Sequence, residues 1–261
     1  TDGSADDRFQ SLRKGMEKAA KKWNVDLVVD APYLSGNAAE QEAAIEEAVE
    51  NGAQAVITVP ADQVQMEKFL DQSKLQVPVI TLEKELHSEK KFGAYIYDSE
   101  KSAKKLARAV LEEKKDASVA LYASDVSAKE TANCLDILEK ELEDGGCTVI
   151  RRQYRQGFEI EGEVVVAADP YTFSQIVNLQ KIPDRLYGIG CSNKMLTLLE
   201  EGKVCAAVIC NEYDKGYLSV EAAMKSIQNG TRQRTVKMEQ VLVRQENLYD
   251  KEYEALLFPI S

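Results

Sequence analysis

The chain has 261 residues and a mass of 29.0 kDa, with 44% hydrophobic and 30% charged residues, enough for one or two α/β domains with a substantial core. A formal net charge of −11 argues against a nucleic-acid backbone as partner, because neutralising phosphates needs clustered Lys and Arg. No apolar run approaches the ~20 residues that span a membrane, and no basic-then-apolar leader opens the chain, so a signal segment is either absent or already removed.

Asp7 is a candidate N-cap for a first helix that carries Phe9, Leu12, Met16, Ala19, Ala20 and Trp23 on one stripe. Asp26 to Val29 reads as a short strand. Asn37 to Asn51 reads as a helix with Ala44, Ile45, Ala48 and Val49 inward, ended by Gly52. Ala55 to Val59 is a buried strand, a helix follows from Gln63 to about Gln72, and Val77 to Glu85 repeats the plan with a strand ending in Glu83 and Lys84. A third strand, Phe92 to Tyr97, ends at Asp98, and the helix Glu100 to Glu112 takes Asp98 or Ser99 as its cap.

The second half opens on the strand Val119 to Tyr122, which leads through a loop holding Ser127 into a helix with Leu135, Leu138 and Leu142. Strands follow at Thr148 to Tyr154 and Glu163 to Ala167, with only Arg155 to Gly162 between them. Parallel neighbours need a crossover of about a dozen residues or more, so either these two strands pair in another way or a crossover helix is absent. Tyr187 to Gly190 is a strand, Met195, Leu198 and Leu199 mark a helix ended by Gly202, and Val204 to Ile209 is a near-continuous apolar run suited to a doubly covered parallel strand. The next helix opens at Gly216 and Tyr217, with Val220, Met224 and Ile227 inward; Thr235 to Arg244 is a last strand and Asn247 to Ser261 a tail.

Catalytic and metal-binding patterns are missing from this order. His87, the single histidine, lies in a charged loop, Gly188 and Gly190 form an isolated GxG without the rest of a nucleotide fingerprint, and the five cysteines show no CxxC spacing. The cysteines read as reduced core thiols, with a Cys134–Cys147 bridge left open. The basic clusters Lys14 to Lys22 and Arg151 to Arg155 read as solvated faces. What recurs is a polar residue at the carboxyl end of buried strands: Asp62, Glu83 and Lys84, Asp98, Ser124 and Asp125, Asp169, Cys191 and Ser192, and Asn211. Ligands of open α/β sheets bind outside those ends. The competing reading at Asp62, Asp98, Ser124 and Asp169 is a helix N-cap, whereas Glu83 and Lys84 have no helix to cap at once.

Two stretches carry a family resemblance. Gln41 to Glu83, with its IEEAVENGAQAVITVPAD and VPVITLE runs, and Leu186 to Gly230, with GKVCAAVICNEYDKGY, resemble type 1 periplasmic binding proteins of the ribose class. The resemblance implies two Rossmann-like α/β lobes with parallel sheets joined by three hinge crossovers, near Asp98, Cys210 and Val236. It places residues 1–98 and 211–236 in an N-terminal lobe and 99–210 and 237–261 in a C-terminal lobe. In that family an opening strand precedes the first helix; here none does, and the loop that would reach the ligand is SADDRF.

The function implied is non-enzymatic capture of a small polar, sugar-like ligand outside the cytoplasm, for an ABC transporter permease or a sensor kinase, by a monomer without cofactor or nucleic-acid partner. The alternative is the ligand-binding effector domain of a LacI-type transcriptional regulator. Implied ligand contacts are Asp6, Asp7, Phe9, Glu83, Lys84, Ser127, Asp169, Cys191, Ser192 and Asn211. Cys191 and Cys210 stand where sugar-binding relatives carry Asp and Gln-like residues, and Ala132 and Asn133 where they often carry Arg, so a pentose or hexose held in the usual way is not expected.

Overall fold

The computed structural model describes residues 3–29, 37–124, 126, 129–251 and 253, with side chains from residue 9 onward. In chain order the elements are α1 (Gly3–Trp23), α2 (Ala38–Glu50), β1 (Val56–Thr58), α3 (Gln63–Gln72), β2 (Val79–Leu82), β3 (Lys91–Ile96), α4 (Ser99–Glu113), β4 (Ser118–Ala123) and α5 (Lys129–Asp144). They continue with β5 (Thr148–Gln153), β6 (Val164–Ala167), α6 (Pro170–Val177), β7 (Leu186–Ile189), α7 (Asn193–Glu200), β8 (Val204–Cys210), α8 (Glu212–Asn229), β9 (Thr235–Lys237) and β10 (Gln240–Val243). The chain divides into two compact units: unit 1 is Thr1–Gln10, Asp98–Asn211 and Glu239–Ser261, and unit 2 is Ser11–Tyr97 and Glu212–Met238.

Unit 2 is built on a four-stranded parallel sheet in the order β1-β2-β3-β9. Its central strand β2 is buried throughout, which explains the unbroken apolar run VITL: a strand covered on both faces has no solvent side to alternate with. Ile45 of α2 and Met66 and Leu70 of α3 pack with Val79 and Leu86 on one face. The helix α8 packs along β1, β2 and β3. Helix α1 crosses α8 at Gly15 and Gly216; a Cβ on Gly15 would run into the Tyr213 carbonyl, and one on Gly216 into the Leu12 carbonyl. Only glycine permits backbones to approach so closely.

Unit 1 holds a six-stranded sheet in the order β10-β8-β7-β6-β4-β5, parallel except for β10, which runs antiparallel to β8. Successive residues alternate between two cores, as strand geometry requires. Val164 and Val166 join Leu106, Val110, Leu135 and Leu138 of α4 and α5, whereas Val165 and Ala167 join Phe173, Ile176, Met195 and Leu199 of α6 and α7. A fully buried side chain of this size is worth about 1.5–3 kcal/mol, so each face is a substantial core of its own.

Several expectations change. The first helix starts at Gly3 rather than after a cap at Asp7, so SADDRF is helix rather than loop. Residues 25–29 form no strand, and Val28 is 90% exposed, because no ladder partner adjoins them: β1 pairs only with β2 among the described residues. Ala48 and Ile227, expected inward, are exposed. Thr235 to Arg244 is two strands, β9 in unit 2 and β10 in unit 1, broken at Met238 and Glu239.

The short link between the fifth and sixth strands is resolved by order: β5 and β6 flank β4, each pairing with it in parallel. Residues 154–163 cross β4 without a helix, tied down where the Tyr122 hydroxyl donates to the Glu161 carbonyl at 3.1 Å and accepts from the Glu161 amide at 3.0 Å. All five cysteines are free, with Cys134, Cys147 and Cys210 buried, so the Cys134–Cys147 bridge is not formed. The tail beyond Tyr253 lies outside the described residues. Among the described residues no helix is long and apolar enough to cross a membrane.

Candidate functional site

In unit 2 the polar side chains gather at the carboxyl ends of β1, β2 and β3. The Gln41 side chain of α2 binds the loop after β1, donating to the Val59 carbonyl at 2.8 Å and accepting from the Ala61 amide at 2.8 Å. Asp62 caps α3 through the Gln65 amide, at 2.8 Å. Glu83 follows β2 in a left-handed backbone conformation, φ 66°, and its amide donates to the Tyr95 carbonyl at 2.9 Å. Such a conformation is strained for a residue with a Cβ, and strain of this kind gathers at functional sites. The neighbouring Lys84 ammonium donates to the Ala61 carbonyl at 3.2 Å.

The residues that complete this end come from the first turn of α8. Lys215 is 0% exposed, and its ammonium lies 2.6 Å from Glu212 Oε2 and 3.5 Å from Glu83 Oε1. It also donates to the Tyr97 hydroxyl at 3.0 Å and stands 4.4 Å from the centre of the Tyr97 ring. The Tyr97 hydroxyl in turn donates to Glu212 Oε1. Hydropathy gives no warning of a buried lysine, so Lys215, Glu212 and Tyr97 are absent from the expected contacts; the available signal was the i,i+3 spacing of Glu212 and Lys215 at a strand end.

In unit 1, Asp169, Cys191 and Ser192, and Asn211 follow the adjacent strands β6, β7 and β8. Asp169 is 9% exposed. Its carboxylate accepts from the Thr172 amide and hydroxyl at 2.9 and 2.7 Å and from the Ser124 amide and hydroxyl at 2.9 and 3.1 Å. Four bonds occupy the roughly four acceptor positions of a carboxylate, which is the helix-cap role together with a tie to the end of β4. Ser192 caps α7 through the Met195 amide at 3.1 Å, and Asp98 caps α4 through the Lys101 amide at 3.2 Å. Cys191 and Asn211 are half-buried.

Tyr154, just after β5, and the exposed Tyr171, in the first turn of α6, meet edge to face, with ring centres 6.4 Å apart. Phe9 is half-buried on α1, the side chains of Asp6 and Asp7 are not described, and Ser127 lies outside the described residues. Burial pushes the Cys134 thiol up to about 12 and raises Cys205 as well, which keeps both from acting as thiolates near neutral pH. Among the described residues no group of three or more His, Cys, Asp and Glu could hold a metal ion.

Polar side chains collected at the carboxyl ends of parallel strands, in each of two α/β units, define a class: a protein that binds a small molecule outside its sheets. The family model described as "Periplasmic binding protein domain" matches residues 2–178. The chain belongs to this family, the type 1 periplasmic binding proteins.

Solved structures share the fold. A carbohydrate transporter solute-binding protein from Agrobacterium radiobacter, in complex with D-arabinose, has 18% identity and a TM-score of 0.79, covering 96% of this chain and 94% of that one. The glucose-galactose binding protein GanP from Geobacillus stearothermophilus has 17% identity and a TM-score of 0.79, covering 93% and 94%. A proposed LacI transcriptional regulator from Bacteroides fragilis has 14% identity and a TM-score of 0.75, covering 92% and 93%. No curated protein matches the sequence at a significant level.

Proposed function

We propose that this chain is an extracytoplasmic solute-binding protein that captures a small polar, sugar-like ligand and delivers it to an ABC transporter or a membrane sensor. The observation that carries this reading is the set of charged and hydroxyl groups after β2 and β3, Glu83, Lys84 and Tyr97, within a chain of this family. Charge-assisted hydrogen bonds from such groups to ligand hydroxyls are short and directional, and they are costly when left unmade, which gives both affinity and selectivity. Unit 1 has strand-end groups of its own, Cys191 after β7 and Asn211 after β8. No turnover is required of any of these residues, and the protein acts as a monomer.

Thermal unfolding against sugars, polyols, nucleosides and amino acids tests this. A solute that binds only the folded chain stabilises it by about 2.7 kcal/mol at 100 times its dissociation constant, and Glu83→Gln is expected to abolish the shift. No shift with any solute would overturn the reading.

The LacI-type effector domain is the second reading, favoured by the Bacteroides relative. The upstream coding sequence separates the two: a pair of DNA-binding helices supports the regulator, and an export leader or lipid-attachment signal supports capture outside the cell.

A further inference from the structure

Lys215 sits where an apolar side chain would fill the same space at less cost. It shares a buried helix stripe with Ser219, Ala222 and Ser226, facing the sheet of unit 2. A buried ammonium is tolerated only when it is paired and hydrogen-bonded. Here the pairing has a direction: Glu212 comes from the same helix turn, whereas Glu83 belongs to the end of β2, in a left-handed backbone conformation. The ammonium therefore reaches from α8 to hold a carboxylate of another element, and the Tyr97 hydroxyl closes the arrangement from the end of β3.

Two carboxylates near one ammonium leave this trio one negative charge. Without Lys215 the same two carboxylates would leave two, concentrated at the strand ends, and would attract cations.

We propose that Lys215 is a positioning and specificity-determining residue for solute capture: it fixes the Glu83 carboxylate at the end of β2 and limits the negative charge there. Unit 2 thereby favours hydroxyl donors over ammonium donors. The proposal rests on the solute-binding reading above. Its reach is the ratio of two affinities, which a merely structural lysine would leave alone.

The test measures dissociation constants by calorimetry for D-glucose, D-galactose and D-arabinose beside D-glucosamine and D-galactosamine, with parent, Lys215→Met and Lys215→Met/Glu212→Gln. Lys215→Met is expected to move the affinity ratio at least about tenfold toward the amino sugars, the fold-change that ~1.4 kcal/mol produces. The double variant restores the trio's single negative charge. Its ratio is expected to return to within about threefold of the parent while neutral-sugar affinity stays at least about tenfold weaker, because the ammonium that reaches the Glu83 carboxylate from α8 is gone. If Lys215→Met does not fold, the double variant decides, since it strands no second carboxylate.

Parental affinity and parental ratio in a folded double variant would overturn the role of Lys215 and leave the solute-binding reading standing. A parent chain that binds another solute but none of the five sugars would overturn the role of Lys215 alone, and one that binds no sugar, polyol, nucleoside or amino acid would overturn both.

Discussion

Gln240 is buried to 5% exposure, yet neither atom of its side-chain amide has a protein partner among the described residues. It opens β10 opposite Cys210, and its alternation with Val241 and Val243 turns it toward the core under α4. A buried amide without partners costs about 1–3 kcal/mol. Gln240→Met keeps the length and removes the polar atoms, so it is expected to raise stability by about 1–2 kcal/mol, read as a higher urea midpoint at constant slope. A lower midpoint would mean that ordered water pairs the amide.

Lys215 and Gln240 show what single residues withhold from a sequence reading. The place of Glu83 and Lys84 at the end of β2 was legible because a strand pattern stops at them and no helix begins there. Lys215 was hidden because hydropathy assigns lysine to solvent, and only the three-dimensional convergence of Glu212, Glu83 and Tyr97 supplies the charges that let it stay inside.

Elements were legible where local chemistry decides them. The helix α3 begins one residue after Asp62 and ends at Gln72, as the cap and the spacing of Met66 and Leu70 require. Elements were misread where a partner decides them. Residues 25–29 have the composition of a strand and lack a ladder, and Thr235 to Arg244 contains no Gly or Pro to mark the break between two sheets. The close backbone approach between α1 and α8 rests on the Gly15 and Gly216 pair. Gly216→Ala sets a methyl group against the Leu12 backbone, which cannot rotate away as a side chain would. A loss of about 3 kcal/mol is expected, with the largest increase in amide hydrogen exchange along α1. A change below about 0.5 kcal/mol, the range of a surface substitution, would show that the helices shift apart freely.

At the scale of the whole molecule, buried and paired titratable groups bound the pH range in which both units persist. In unit 2 the Thr235 hydroxyl, aided by Lys91, holds the Glu85 carboxyl below its ordinary value against opposing burial. In unit 1 the Lys114 ammonium does the same for Glu163. A carboxyl whose folded pKa is depressed contributes stability that is present above its unfolded value, about 4.3, and is lost as pH falls through the folded value.

The alkaline side has the opposite sign. Burial raises Tyr95 in unit 2 to about 12, raises Cys134 in unit 1 to about 12, and pushes Tyr187 and Cys205 upward too. In the unfolded chain thiols ionise near 8.5 and phenols near 10, so above about 8.5 the unfolded state sheds protons that the folded state retains. Stability carried by these groups is complete below that value and declines as pH rises toward about 12. Urea midpoints are therefore expected to be level from about pH 5 to 8.5 and to fall on both sides. Cys134→Ala should flatten the alkaline limb, and Glu85→Gln the acid limb, without exchanging effects. An alkaline limb unchanged by Cys134→Ala would mean that the buried thiol ionises as readily in the folded chain as in the unfolded one.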